Sequence, residues 1–129
     1  MSEIPKVLRY TEEHEWVREE ETEDVVAIGI TDYAQGELGD VVFVELPSAG
    51  DTFDRMEVFG TIEAVKAVSE LFSPASGEVV EVNGGIEADP AVVNNDPYGE
   101  GWMVRLKLSA PGELDTLLNA EAYSQHIGE

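Results

Sequence analysis

The sequence contains no cysteine and only two histidines. Without a thiol there is no disulfide framework, no Cys-ligated zinc and no thiol nucleophile. Two histidines without cysteine also make a transition-metal site unexpected. No run of about 18 apolar residues occurs, which argues against a membrane-spanning helix. The opening, MSEIPKVLRYTEEHEW, lacks a basic segment followed by an apolar one, so no secretory signal is expected. No GxxxxGK[ST] or GxGxxG phosphate loop is present, and no pattern suggests a nucleophile with its base and orienting partner. A cysteine-free chain suits a reducing compartment, and a cytoplasmic location is expected.

Positive charge is also scarce. Seven basic residues face 28 acidic ones, for a formal net charge of −21. Phosphate backbones and anionic membranes would repel such a chain, so neither is an expected partner. The acids are spread along the whole length, the pattern of a solvated acidic surface as in proteins adapted to high salt. At 129 residues and 43% hydrophobic composition, the chain is expected to fold as one domain spanning 1–129, with a real core. A monomer is expected.

The middle of the chain alternates and is rich in valine. VVAIGI (25–30), DVVFVEL (40–46), EVFGTIEAV (57–65), EVVEVN (78–83) and WMVRLKL (102–108) read as strands, with HEWVREE (14–20) as another near the start. Turn signals separate them: Pro47 to Asp51, Ser73 to Gly77, Asn83-Gly84-Gly85, and Asp96 to Gly99. Thr31 and Asp32 can cap a short helix near 31–38. Leu114, Leu117, Leu118, Tyr123 and Ile127 predict one or two helices near 111–126. GDVVFVELPSAGD (39–51) and GEVVEVNGGIEAD (77–89) align without gaps, which suggests two similar halves. The expected fold is mainly β: a flattened barrel or sandwich of two small antiparallel sheets with a quasi-twofold repeat.

Between the two copies lies GTIEAVKAVSEL (60–71), holding one of only three lysines. If EVFGTIEAV runs up as a strand and AVSELFSP runs down, Lys66 falls at the hairpin tip, projecting into water. That position suits an amine that another enzyme must reach and modify. IEAVKA followed by SELFSPASGEVVEVN resembles the lipoyl-lysine signature of the glycine cleavage H-protein family. YTEEHEWV (10–17), IGITDYAQGELGDVVFVELPSAG (28–50), VNNDPYGEGWMVRLKLSAPGELDTLL (93–118) and EAY (121–123) resemble the same family in the same order.

The resemblance implies a lipoyl-domain type of fold and a carrier that is not itself an enzyme. It implies lipoate in amide linkage on Lys66. The arm would take the aminomethyl group of glycine from the glycine decarboxylase (P-protein) to the aminomethyltransferase (T-protein), and dihydrolipoamide dehydrogenase (L-protein) would reoxidise it. A lipoate-attaching enzyme is a further implied partner. An alternative is a lipoate relay that passes lipoyl groups to other carriers. Biotin carriers are set apart because they usually flank the lysine with Met, where this chain has Val65 and Ala67. In the hairpin, Glu63 is expected to help the attaching enzyme recognise the tip. Val65, Ala67 and Val68 would keep the turn compact, Ala64 stands where the common family form has Ser, and Gly77 would permit close backbone approach. Glu15 matches a position lining the cleft where the loaded arm rests, and Glu37 one where relatives place a histidine.

If the acidity is an adaptation to salt, the thermal midpoint should climb as ionic strength rises from millimolar to molar, because screening relieves self-repulsion. A midpoint flat over that range would remove the explanation.

Overall fold

The structure is a computed structural model describing residues 2–129. Nine strands form two antiparallel sheets. The larger has the order β1-β2-β3-β9-β8-β5, from β1 (Arg9–Tyr10), β2 (Glu15–Glu19), β3 (Val25–Ile30), β9 (Val104–Leu108), β8 (Gly77–Val82) and β5 (Thr52–Phe53). The smaller is β4-β6-β7, from β4 (Val41–Glu45), β6 (Val58–Ala64) and β7 (Val68–Phe72). The two sheets make a sandwich of six and three strands. They do not close into a barrel, which corrects that half of the sequence expectation, and they are unequal in size.

Strand β3 shows why the sequence folds this way. All six of its residues are buried, because both faces of the strand are covered. Val26, Ile28 and Ile30 point into the core between the sheets, where they meet Val44, Ile62, Leu71 and Leu106. Ala27 faces the other way, into a second cluster with Tyr10, Trp16 and Tyr123. Helix α4 (Ala120–Ile127) caps that second face. Tyr123 stacks on Tyr10 with centroids 4.6 Å apart, and the Trp16 indole donates to the Pro97 carbonyl at 2.9 Å.

Helix α1 (Asp32–Leu38) follows β3 directly, capped by the Thr31 hydroxyl, which accepts from Ala34 N–H. The C-terminal segment splits into a 3-10 turn (Pro111–Thr116) and α4, with Asn119 capping the latter. Two short helices were not expected. Asn83-Gly84-Gly85 reads as a turn, yet it opens helix α2 (Gly84–Ala88): the Asn83 side chain accepts from Gly85 N–H and Ile86 is driven fully into the core. Helix α3 (Val92–Asn95) follows, anchored by buried Val93.

The two repeat copies place β4 and β8 in different sheets, and the copies touch. Gly50 N–H donates to the Val79 carbonyl at 2.7 Å, and Val79 N–H to the Asp51 carbonyl at 2.8 Å. Their ends diverge, since 47–51 is a turn where 85–89 carries α2. Gly77 begins β8 against Leu108 of β9 and Phe53 of β5. A Cβ there would sit 2.3 Å from the Lys107 carbonyl oxygen. Gly77→Ala should therefore destabilise the fold by about 1–3 kcal/mol through overpacking. A denaturation midpoint unchanged from wild type would contradict that.

Candidate functional site

Lys66 stands at the tip of the β6–β7 hairpin and is exposed. The strands pair as far as Glu63 opposite Val68, and Ala64 N–H donates to the Ala67 carbonyl at 2.9 Å across the turn. Val65 and Val68 are 71% and 68% exposed, so they do not pack the turn. Backbone hydrogen bonds shape it instead. Val65 N–H donates to the Asp40 carbonyl at 2.9 Å and Lys66 N–H to the Leu38 carbonyl at 3.2 Å. The tip is thereby pinned to the end of α1, so the lysine's root is fixed while its side chain reaches solvent.

That anchor has its own support. Gly39, with φ at +79°, turns the chain out of α1 in a conformation that favours glycine. A Cβ on Gly39 would lie 3.4 Å from Cγ, Cδ and Cε of Lys66, so the lysine stem lies over the glycine. Asn94 of α3 reaches across to clamp the same segment. Its amide donates to the Gly39 carbonyl (2.9 Å) and Gln35 Oε1 (3.0 Å), and its Oδ1 accepts from Val41 N–H (2.8 Å). Gly39 carries a legible signal, a glycine just past a helix. Asn94 carries none, because its partners lie more than fifty residues away in sequence.

Beside the tip is a cleft of about 300 Å³ between β2, α1 and the β6–β7 hairpin. Leu38, whose carbonyl holds Lys66, is part of its wall. Glu15 and Glu37 both line it, with His14, Tyr33 and Glu70. Glu15 is 1% exposed. The Thr11 hydroxyl donates to its Oε1 at 2.7 Å, and Phe72 N–H approaches Oε2 at 3.4 Å. Burial pushes its carboxyl up to about 8, against the pull of these two hydrogen bonds. Burial thus favours the neutral acid form of Glu15, set in the wall, where Glu37 is exposed at the rim.

His14, at the same cleft, has φ at +78°. Its Nδ1 meets the Tyr123 hydroxyl at 2.9 Å, and that hydroxyl meets the Thr31 cap at 2.7 Å. Burial and the nearby His126 imidazole lower its pKa, which favours the neutral ring. Trp16 is a core residue, and His14 supports the cleft through this network.

The structure thus brings Lys66, Glu63, Ala64, Val65 and Ala67 together at the tip, and Glu15 and Glu37 together at the cleft. It sets Gly77 apart, in the larger sheet. Tyr33 and Glu70 join the cleft without having been singled out in the sequence. Among the described residues no cluster of three or more His, Asp or Glu could hold a metal ion.

A small β sandwich that offers an anchored, exposed lysine beside a cleft has the form of a carrier domain. A family model for the glycine cleavage H-protein matches residues 8–129. The glycine cleavage system H protein of Chlorobium limicola is 54% identical over 126 residues, covering 98% of each chain. That of Bacteroides fragilis is 55% identical over 120 residues, covering 93% of this chain and 94% of its own. A crystal structure of a glycine cleavage system H protein from Mycobacterium marinum superposes with a TM-score of 0.90 at 42% identity, covering 98% of this chain and all of that one. The chain belongs to the glycine cleavage H-protein family.

The raised Glu15 pKa fixes the sign of a pH dependence. The folded protein keeps a proton that the unfolded chain releases near 4.5. This group's contribution to stability therefore falls as pH rises from about 4.5 to about 8 and is level above that. Relative to Glu15→Gln, wild type should lose up to ~1.4 kcal/mol per pH unit inside this window. Parallel stability profiles for the two proteins would show that Glu15 does not hold the proton.

Proposed function

We propose that this H-protein carries lipoate in amide linkage on Lys66. On this reading it moves the aminomethyl unit of glycine among the decarboxylase, the aminomethyltransferase and dihydrolipoamide dehydrogenase. The observation that carries the reading is the lysine itself: exposed, backbone-anchored and adjacent to a cleft. The group fits what is there. Lys66 offers a free amine at a hairpin tip, and the cleft beside its root offers apolar wall from Ile30, Leu38, Ile62 and Leu71 together with acidic groups. When bound, lipoate supplies a disulfide that accepts the aminomethyl unit and becomes a dithiol; that chemistry is the cofactor's.

The chain's own residues position and protect. The two hydrogen bonds to Leu38 and Asp40 hold the root of the arm, so motion is confined to the side chain and whatever it bears. Burial favours the neutral form of Glu15, and a cation entering the cleft favours its ionised form, which gives a charge-assisted hydrogen bond from a side chain shielded from solvent. Glu37 and Glu70 add negative charge at the cleft. His14, held neutral, keeps the wall from opposing a cation.

The test is the intact mass of the protein before and after incubation with lipoate, ATP and a lipoate–protein ligase, with peptide mapping. One lipoyl unit on the peptide containing Lys66 is expected. Lys66→Arg should take up none while keeping the wild-type melting midpoint, and should support no glycine-dependent CO2 exchange with the decarboxylase. A lipoyl group on the Lys66→Arg protein would move the site elsewhere.

A further inference from the structure

The outer face of the β4-β6-β7 sheet exposes large apolar side chains at the end beside the lysine turn, where the fold has no use for them. Strand β4 would normally alternate, but a register shift between Val41 and Phe43 breaks the pattern. Val41 and Val44 point inward at 5% and 1% exposure, while consecutive Val42 and Phe43 both point out at 58% and 48%. A bulge of this kind re-aims side chains, and such bulges cluster near functional sites. The register then sets Phe43, Glu63 and Val68 in one row across the three strands, next to the lysine turn with Val65. Val42, Phe43, Val65 and Val68 are four of the seven large apolar side chains exposed among the described residues. A concentrated apolar surface on so acidic a protein marks a place where another protein sits.

The next row on the same face is Glu45, Thr61 and Glu70, and Glu63 lies within the first. All three glutamates are exposed. The complement of this face is an apolar recess edged by lysine or arginine. Enzymes that act on the far end of a lipoyl group are held off from the tip by the length of the arm. Only an enzyme acting at the Lys66 amine itself must enclose the turn and the strands beside it.

We propose that the outer face of β4-β6-β7, through Val42, Phe43, Val65 and Val68, is the docking surface for the acyl-transferring enzyme that modifies Lys66, and that basic side chains of that enzyme engage Glu45, Glu63 and Glu70. The proposal rests on the reading of Lys66 as the lipoylated residue. The cleft serves the loaded arm and the outer sheet face serves its attachment, with Glu70 on the border between the two.

The experiment measures lipoylation kinetics of the bare protein with lipoate, ATP and a lipoate–protein ligase, alongside calorimetric titration of bare protein into ligase. The double variant Val42→Thr/Phe43→Ser changes residues on the strand beside the hairpin and leaves the lysine turn intact. It should raise KM by ~tenfold or more with little change in kcat, and weaken calorimetric binding in parallel. Val80→Thr, an exposed valine in the other sheet, should match wild type. Glu45→Gln/Glu63→Gln should flatten the salt dependence of KM. If the double variant does not fold, Val68→Thr on β7 should still raise KM. Wild-type KM and affinity in a folded patch variant would overturn the proposal while leaving Lys66 as the site. Failure of wild type to be lipoylated at Lys66 would instead remove the reading beneath it. A wild-type dimer that the double variant abolishes, with KM unchanged, would assign the face to a second copy of the chain and equally overturn it.

Discussion

The Asn94 carboxamide holds together the segment on which the placement of Lys66 depends. Its three hydrogen bonds reach Gln35, Gly39 and Val41, and so fix the path from α1 into β4. The carbonyls of Leu38 and Asp40 on that path then take the N–H groups of the hairpin tip. A two-stranded hairpin tip standing alone is marginal in water. Here the tip has no buried side chain to hold it, since Val65 and Val68 face solvent, and backbone hydrogen bonding to a clamped neighbour does the work that packing does elsewhere. That solution leaves the tip's surface free.

Much of the fold is legible in the sequence because its signals are local. Strand β3 coincides with VVAIGI, β2, β4, β6 and β9 fall within their alternating segments, and β8 is offset from EVVEVN by one residue. Thr31 announces α1 by its capping oxygen. The lysine at a hairpin tip follows from two apolar runs meeting around AVKAV. What escaped has long-range causes. The tie between Asn94 and Gly39 spans 55 residues. Helix α2 hides in a Gly-Gly pair because the burial of Ile86 and the Asn83 cap outweigh the cost of glycine in a helix. The bulge in β4 cannot be read from VVFVE, where four consecutive strand-forming residues hide that the second and third both face out. The strands β1 and β5, of two residues each, are too short to carry a period. A closed barrel and an open sandwich share the same alternation, so the sequence pattern does not separate them.

The candidate site divides the same way. Glu15 is legible as an acidic residue beside the arm through family resemblance. Its neutral state is not, because that depends on burial between β2 and β7 with Thr11 and Phe72 as partners. Among 28 acids this one is fully buried and carries a raised pKa, whereas Glu37 and Glu70 at the same cleft are exposed. The acidic surface and the apolar patch also belong together. A chain repelled by its own charge gains solubility enough to leave four large apolar side chains uncovered near its working end.

On the proposed reading of Lys66 as the carrier lysine, the pinned hairpin root governs the encounter between the arm and its cleft. Because Lys66 is tied to Leu38, and Leu38 is itself cleft wall, any group carried on the lysine begins its search from a fixed point at the cleft's edge. The search is intramolecular, with an effective concentration set by the tether alone. A hairpin that flapped would dilute that concentration by adding its own volume to the search. The ratio of parked to extended arm is thus governed by how well the cleft holds the cargo, and a partner can draw the arm out by outbidding the cleft without deforming the protein.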